Sequence, residues 1–170
     1  MVETGILTED DRVELIEGVL IEMSPIGDAH NAHVDRVNQT MVLALHGQAI
    51  VRVQGDIRLS TWNAPISDVL VLRRRDDFYQ YGGAGPADVL LIIEVADSSL
   101  SYDLQRKAPL YAGEGAPEYW VMNARDERIV VHRDPRPEGY QQVFELSGDE
   151  RFSPLAFPDL VLTPNQLFGK

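Results

Sequence analysis

Apolar residues along the chain fall into short strand-like runs interrupted by two longer stretches at helical spacing, a pattern that predicts an α/β domain. Glu14-Leu15-Ile16 and Val19-Leu20-Ile21-Glu22-Met23 flank Glu17-Gly18 and predict a β-hairpin of two short strands. Ahead of it, Thr8 followed by Glu9, Asp10 and Asp11 predicts a short helix with an N-cap and an acidic first turn. Asp28 is the expected N-cap of a long amphipathic helix that carries Val34, Val37, Met41, Ala44 and Leu45 on one stripe and ends near Gly47.

Residues 49–60 alternate well enough for a strand, and 66–72 form a shorter apolar strand interrupted only by Ser67 and Asp68. After Arg73-Arg74-Arg75 and a glycine-rich connection, 88–95 gives the strongest buried-strand signal, Val89-Leu90-Leu91-Ile92-Ile93. Continuous apolarity of that kind implies a central strand covered on both faces. The segment 98–112 reads as a helix with Leu104, Ala108, Tyr111 and Ala112 on one stripe. Pro109 within it is expected to bend or divide it. Strands are expected at 119–122, 129–132 and 140–146, and Thr163-Pro164 starts a closing helical turn with Thr163 as cap. With no internal repeat, low-complexity tract or linker, 1–170 reads as a single domain.

Composition narrows the chemistry. The chain has 170 residues, 44% of them hydrophobic, enough to bury a core, and no run approaches the length of a membrane span. Met1-Val2-Glu3-Thr4-Gly5 lacks the basic and apolar regions of a secretory signal, so a cytoplasmic location is expected. Without cysteine, a metal must be held by oxygen or imidazole, which favours Mg2+ or Mn2+. The net charge of −12 opposes phosphate binding, unless a local patch or a dimer concentrates arginines in one cleft. Thirteen of the 15 basic residues are arginines, so Lys107, far from the C-terminal Lys170, stands out as a place where a compact ammonium is wanted.

Two acids lie inside apolar strands, Asp68 within Ile66-Ser67-Asp68-Val69-Leu70 and Glu94 at the end of 89–95. Burying a carboxylate is costly unless a partner or metal compensates it. On neighbouring strands the two would converge and share a divalent ion with a backbone carbonyl near Val95. Lys107 borders the inward stripe of the following helix, where it either reaches that pocket to orient water and offset phosphate charge, or forms a buried salt bridge with Glu94 or Asp103. His30 and His33 read as capping or edge histidines, and His30 gains interest only if it faces the carboxylates. The roles of Asp97 and Asp103 stay open.

The chain resembles the Uma-type restriction endonuclease family, a bacterial branch of the PD-(D/E)XK nuclease superfamily, over essentially its whole length. The matching words are Thr8 to Gly18 (TEDDRVELIEG), Met23-Ser24-Pro25 with His30, Asp56-Ile57-Arg58-Leu59, Asp68-Val69 and Ala87 to Val95 (ADVLLIIEV). They continue through Asp97-Ser98-Ser99, Tyr102-Asp103, Lys107 and Gly115-Ala116-Pro117-Glu118-Tyr119-Trp120. The resemblance implies a restriction endonuclease-like α/β fold, a mixed four-stranded core sheet flanked by helices with additional antiparallel strands, often as a homodimer. It also implies that Asp68 and Glu94 are the superfamily's metal-binding acids and Lys107 its lysine. The chain departs from the pattern at Ser67, where proline is usual, and at Ala96, where the lysine of E-x-K is usual. Its lysine has therefore moved to the helix. Relatives often carry another helix before Gly5-Ile6-Leu7, which suggests a shortened start. The only Pro-Asp dipeptide, Pro158-Asp159, reads as a turn.

Two functions follow as expectations. One is a Mg2+- or Mn2+-dependent endonuclease acting on nucleic acid, DNA rather than RNA, in which Arg73, Arg74, Arg75 and Arg106 read first as a solvated turn and helix face and second as phosphate contacts. The alternative is a nuclease-fold homodimer that binds nucleic acid or protein without cutting.

Overall fold

The computed structural model describes residues 13–23 and 27–170; the expected helix at 8–11 and the chain's start lie outside them. The hairpin forms as expected, β1 (Val13–Ile16) against β2 (Val19–Glu22), with both turn residues, Glu17 and Gly18, at positive φ. Two left-handed residues match the right-handed twist of the strands they join. The long helix α1 (Asp28–Ala44) is capped by Gly27 rather than by Asp28. Asp28 is instead the first helical residue, where its charge faces the positive end of the helix dipole.

Six strands follow in one sheet: β3 (Ala49–Asp56), β4 (Ile66–Arg73), β5 (Val89–Ala96), β6 (Glu118–Asn123), β7 (Arg128–Arg136) and β8 (Gly139–Ser147). Their spatial order is their chain order, and every pairing is antiparallel except β5 with β6. That single parallel pair needs a crossover, which the helical segment between them supplies. The sheet is therefore mixed, and it carries two strands more than the four of the expected core. In β5 every residue except Leu90 is buried, as its unbroken apolarity requires.

The sheet has a core on each face. On one, α1 lays Val34, Val37 and Met41 over Val69, Val71, Leu91, Ile93 and Trp120. On the other, Ala108, Tyr111 and the loop residues Tyr79 and Ala84 cover Leu70, Leu72, Ile92 and Tyr119. Each of these larger apolar side chains contributes about 1.5–3 kcal/mol by leaving water. The C-terminal helix α4 (Pro164–Phe168) is closed by a capping box in which Thr163 accepts from the Gln166 amide and Gln166 accepts from the Thr163 amide. Thr163→Ala is expected to cost about 1 kcal/mol, read as a shift of the urea midpoint at unchanged slope.

The crossover helix is divided, as Pro109 predicts. A turn of α2 (Leu100–Tyr102) leads into a π-helical turn over Asp103–Lys107 and then α3 (Ala108–Gly113). The Ala108 amide donates to the carbonyl of Asp103, five residues back. This wider turn relieves the clash a proline ring makes with the preceding turn. It also turns two polar residues, Asp103 and Lys107, into the interior.

Candidate active site

β4 and β5 are neighbours, and the two acids meet where Asp68, near the start of β4, faces the end of β5. Each carboxylate latches the other's strand. The Asp68 amide donates to Glu94 Oε2 at 3.3 Å, and the Val95 amide donates to Asp68 Oδ2 at 2.8 Å. Val95 thus serves the site through its N–H as well as lining the same cleft.

Lys107 lies 6% exposed behind them. Its Nζ sits 2.9 Å from Glu94 Oε1 and 3.4 Å from Glu14 Oε2, and donates to the Ile66 carbonyl at 3.1 Å. Asp103 does not pair with it directly but accepts from the Ser99 hydroxyl at 2.6 Å. The remaining oxygen of Asp68 is engaged by His30 Nε2 at 3.0 Å, which meets the condition under which His30 becomes a site residue. His33, about one turn further along α1, packs edge-on against Phe168 instead.

Three contributors were not legible as site residues. Glu14, 4% exposed, comes from the hairpin and accepts from the Tyr102 hydroxyl at 3.0 Å and the Ile66 amide at 3.4 Å. Tyr111 donates to Glu94 Oε1 at 3.1 Å. A signal for Glu14 existed: in a strand of period two it shares a face with Ile16, the apolar phase. The tyrosines give no comparable sign, because a Tyr on an apolar stripe is ordinary core.

The electrostatics follow from burial. Removal from water pushes the Glu94 carboxyl well above the usual carboxylate range, and the charges of Asp68 and Asp103 add to it against the pull of Lys107. Burial likewise raises Asp103. Burial opposes charge on Lys107, but Glu94, Glu14 and Asp103 outweigh it and hold the ammonium protonated beyond an ordinary lysine. Its hydrogen bond to Asp68 raises His30 above 6.5. Burial and Glu14 push Tyr102 up to about 12.

These groups line one cleft of about 340 Å³, which Asp97, Asp103 and the hairpin residues Ile21 and Glu22 also border. Four carboxyls, from Glu14, Asp68, Glu94 and Asp103, face one ammonium and one imidazole. Such an oxygen-rich and undercompensated donor set suits a hard divalent cation. Among the described residues, no group of three or more His, Asp or Glu side chains is placed to hold a metal ion, so a cation here would need backbone oxygen, water or substrate to complete its shell.

A mixed sheet with helices on both faces is the α/β fold expected of a restriction endonuclease-like domain. The chain belongs to the Uma2 family, described as "Putative restriction endonuclease", whose profile matches residues 3–165. Its fold is similar to the crystal structure of a "putative nuclease belonging to DUF820" from Anabaena variabilis, with a TM-score of 0.76 and 15% identity over 98% of this chain and 95% of that one. No functionally curated protein matches the chain. Among the described residues, no helix is long and apolar enough to cross a membrane.

Proposed function

We propose that this cleft hydrolyses phosphodiester bonds of nucleic acid, DNA in the first instance, with Mg2+ or Mn2+ held by Asp68, Glu94 and a backbone carbonyl near Val95. The supporting observation is the reciprocal latch of Asp68 and Glu94 beside the buried Lys107 ammonium. Of the four carboxylate oxygens, Glu94 Oε2 is the least engaged, accepting only the long bond from the Asp68 amide. A divalent ion bound there supplies Lewis-acid polarisation of the phosphoryl group and a water of lowered pKa.

The chain's own residues perform the rest. Lys107, held protonated, cannot act as a general base near neutral pH; its charge offsets that building on the phosphate in the transition state. Glu14 and Tyr111 position it and Glu94 from opposite sides. His30 orients Asp68 through its 3.0 Å contact with Oδ1. Incubating the protein with labelled single-stranded DNA, duplex DNA and RNA, with Mn2+ or with EDTA, tests the proposal. Cleavage requiring Mn2+ is expected, and no cleavage of any of the three would sink it.

One observation favours the second reading, a non-cleaving binding module assembled as a homodimer. Glu94 Oε1 is already satisfied by Lys107 and Tyr111, and Asp68 Oδ1 by His30, so the acids have protein partners of their own. Calorimetric titration with Mn2+ separates the two: micromolar binding supports the nuclease, and its absence supports the module. Light scattering reads the dimer.

A further inference from the structure

Away from the cleft, the loop 74–85 folds back over the sheet and carries two unusual residues. Phe78 and Tyr79 are consecutive and both left-handed, with φ of +49° and +65°. Bulky residues adopt that conformation only at a cost, and such strain concentrates where a side chain must be held in a set position. Tyr79 points inward and is buried, but Phe78 stands 70% exposed and Tyr81 78% exposed. Burial therefore accounts for Tyr79 and leaves the other two unexplained.

Arginines are interleaved with these rings. Arg75 stacks over Tyr79 at 4.4 Å, and Arg52 of β3 approaches the same ring at 5.7 Å. The Arg58 amide donates to the Ala84 carbonyl, so the 57–63 loop lies beside the end of 74–85. That loop ends at Trp62, 65% exposed, whose carbonyl accepts from the Gly18 amide at the turn of the hairpin that walls the cleft. The two touching loops therefore form a track, 74–85 with Arg52 against Tyr79, and 57–63 with Arg58 beside Ala84 and Trp62 against the hairpin turn.

Its charge is the second observation. Arg106, Arg125, Arg128, Arg133 and Arg136 each contact a carboxylate. Arg52 and Arg58 have no carboxylate partner among the described residues, and Arg74 reaches Asp76 only at 3.9 Å between exposed side chains. Asp77 is occupied by Arg75, and the Asp88 carboxylate accepts from the Gly85 amide. In a chain of net charge −12, unpaired guanidiniums alternate with exposed aromatic rings along this one surface.

We propose that this track binds a single-stranded segment of nucleic acid, bases stacked on Phe78, Tyr81 and Trp62 and phosphates on Arg52 and Arg58. Stacking accepts any base, and the guanidiniums follow the backbone, so the surface selects unpaired strand without reading sequence. An acidic protein partner would bury the same rings and arginines, and competition by polyglutamate makes it an outcome of the test. The inference rests on the nuclease reading for its purpose, because the track would lead unpaired substrate to the Asp68–Glu94 cleft. It does not rest on that reading for its test.

The test is fluorescence anisotropy of the full chain with labelled oligothymidylate of about 15 nucleotides, in EDTA so that cleavage plays no part. Saturable binding is expected, stronger than to duplex of the same length and not displaced by polyglutamate. Phe78→Ser with Tyr81→Ser is expected to weaken it about tenfold or more. Arg52→Ser with Arg58→Ser is expected to lower the salt slope of log affinity by about 1.4, two phosphates' worth on a single strand. Phe78→Gly should melt no lower than wild type, because glycine accepts positive φ, yet bind more weakly, a combination a structural role does not produce. No binding by the wild-type chain, unchanged binding by the variants, or equal competition by polyglutamate overturns the track. A chain that binds but never cuts with Mn2+ overturns the nuclease reading alone.

Discussion

Lys107→Met is expected to lower the free energy of unfolding by about 3–5 kcal/mol near neutral pH. The ammonium lies between Glu94 at 2.9 Å and Glu14 at 3.4 Å, and methionine of similar volume leaves both carboxylates buried without their cation. Adding Glu14→Gln and Glu94→Gln to the same chain is expected to recover part of the loss, since the triple variant leaves Asp103 as the one buried carboxyl that has lost the nearby ammonium. Lys107→Arg should recover little, because a planar guanidinium does not fit the space of a compact ammonium. The deficit of the single variant also depends on pH. Removing Lys107 takes away the largest influence that lowers the Glu94 carboxyl, whose folded pKa then stands still further above its unfolded value near 4.5. A raised folded pKa gives stability that is present below the unfolded pKa and lost as pH rises through the folded one. The deficit should therefore be small near pH 4 and grow toward pH 8. Urea denaturation across that range reads it, and a variant within about 1 kcal/mol of wild type at pH 8 would show that Lys107 does not carry the pair.

Much of this site could be read from the sequence for one reason. Asp68, Glu94 and Lys107 are charged groups occupying the apolar phase of their elements, and a charge placed there needs compensation wherever the element finally sits. The strands were equally legible, because 89–95 and 119–122 admit no exposed face. What escaped depends on contacts between distant segments. Asp28 looks like a cap until the chain direction after Gly27 fixes the helix start one residue earlier. The π turn at Asp103–Lys107 follows from reconciling Pro109 with a helix that must still close a parallel crossover, a demand no local window contains. The polar, glycine-rich stretch 74–85 reads as a mere connection, yet it returns Tyr79 and Ala84 to the core. His30 acquires its partner only because α1 crosses the end of β4, across 38 positions of chain.

Asp68→Ala and Glu94→Gln are each expected to reduce Mn2+-dependent cleavage by at least about a thousandfold, the scale lost when a group stabilising transition-state charge is removed. Their effects on the unliganded protein should differ. Glu94 is buried with a carboxyl that burial already pushes toward its neutral form, and glutamine keeps its shape without the charge. Its single oxygen can still accept from Lys107 and Tyr111 but its NH2 then meets the Asp68 amide, so Glu94→Gln should melt somewhat lower than wild type, by less than Asp68→Ala, while losing the cation. Asp68→Ala removes the acceptor of the Val95 amide and of His30, so it should melt lower as well as lose the cation. A further sign follows from competition between proton and metal. Because the Glu94 carboxyl holds its proton above the ordinary carboxylate range, Mn2+ must displace that proton, and its affinity should fall by up to about tenfold per pH unit as pH drops through the raised pKa. Calorimetry in buffers of different ionisation enthalpy reads the released proton directly. Mn2+ binding retained in Glu94→Gln would remove Glu94 from the metal site.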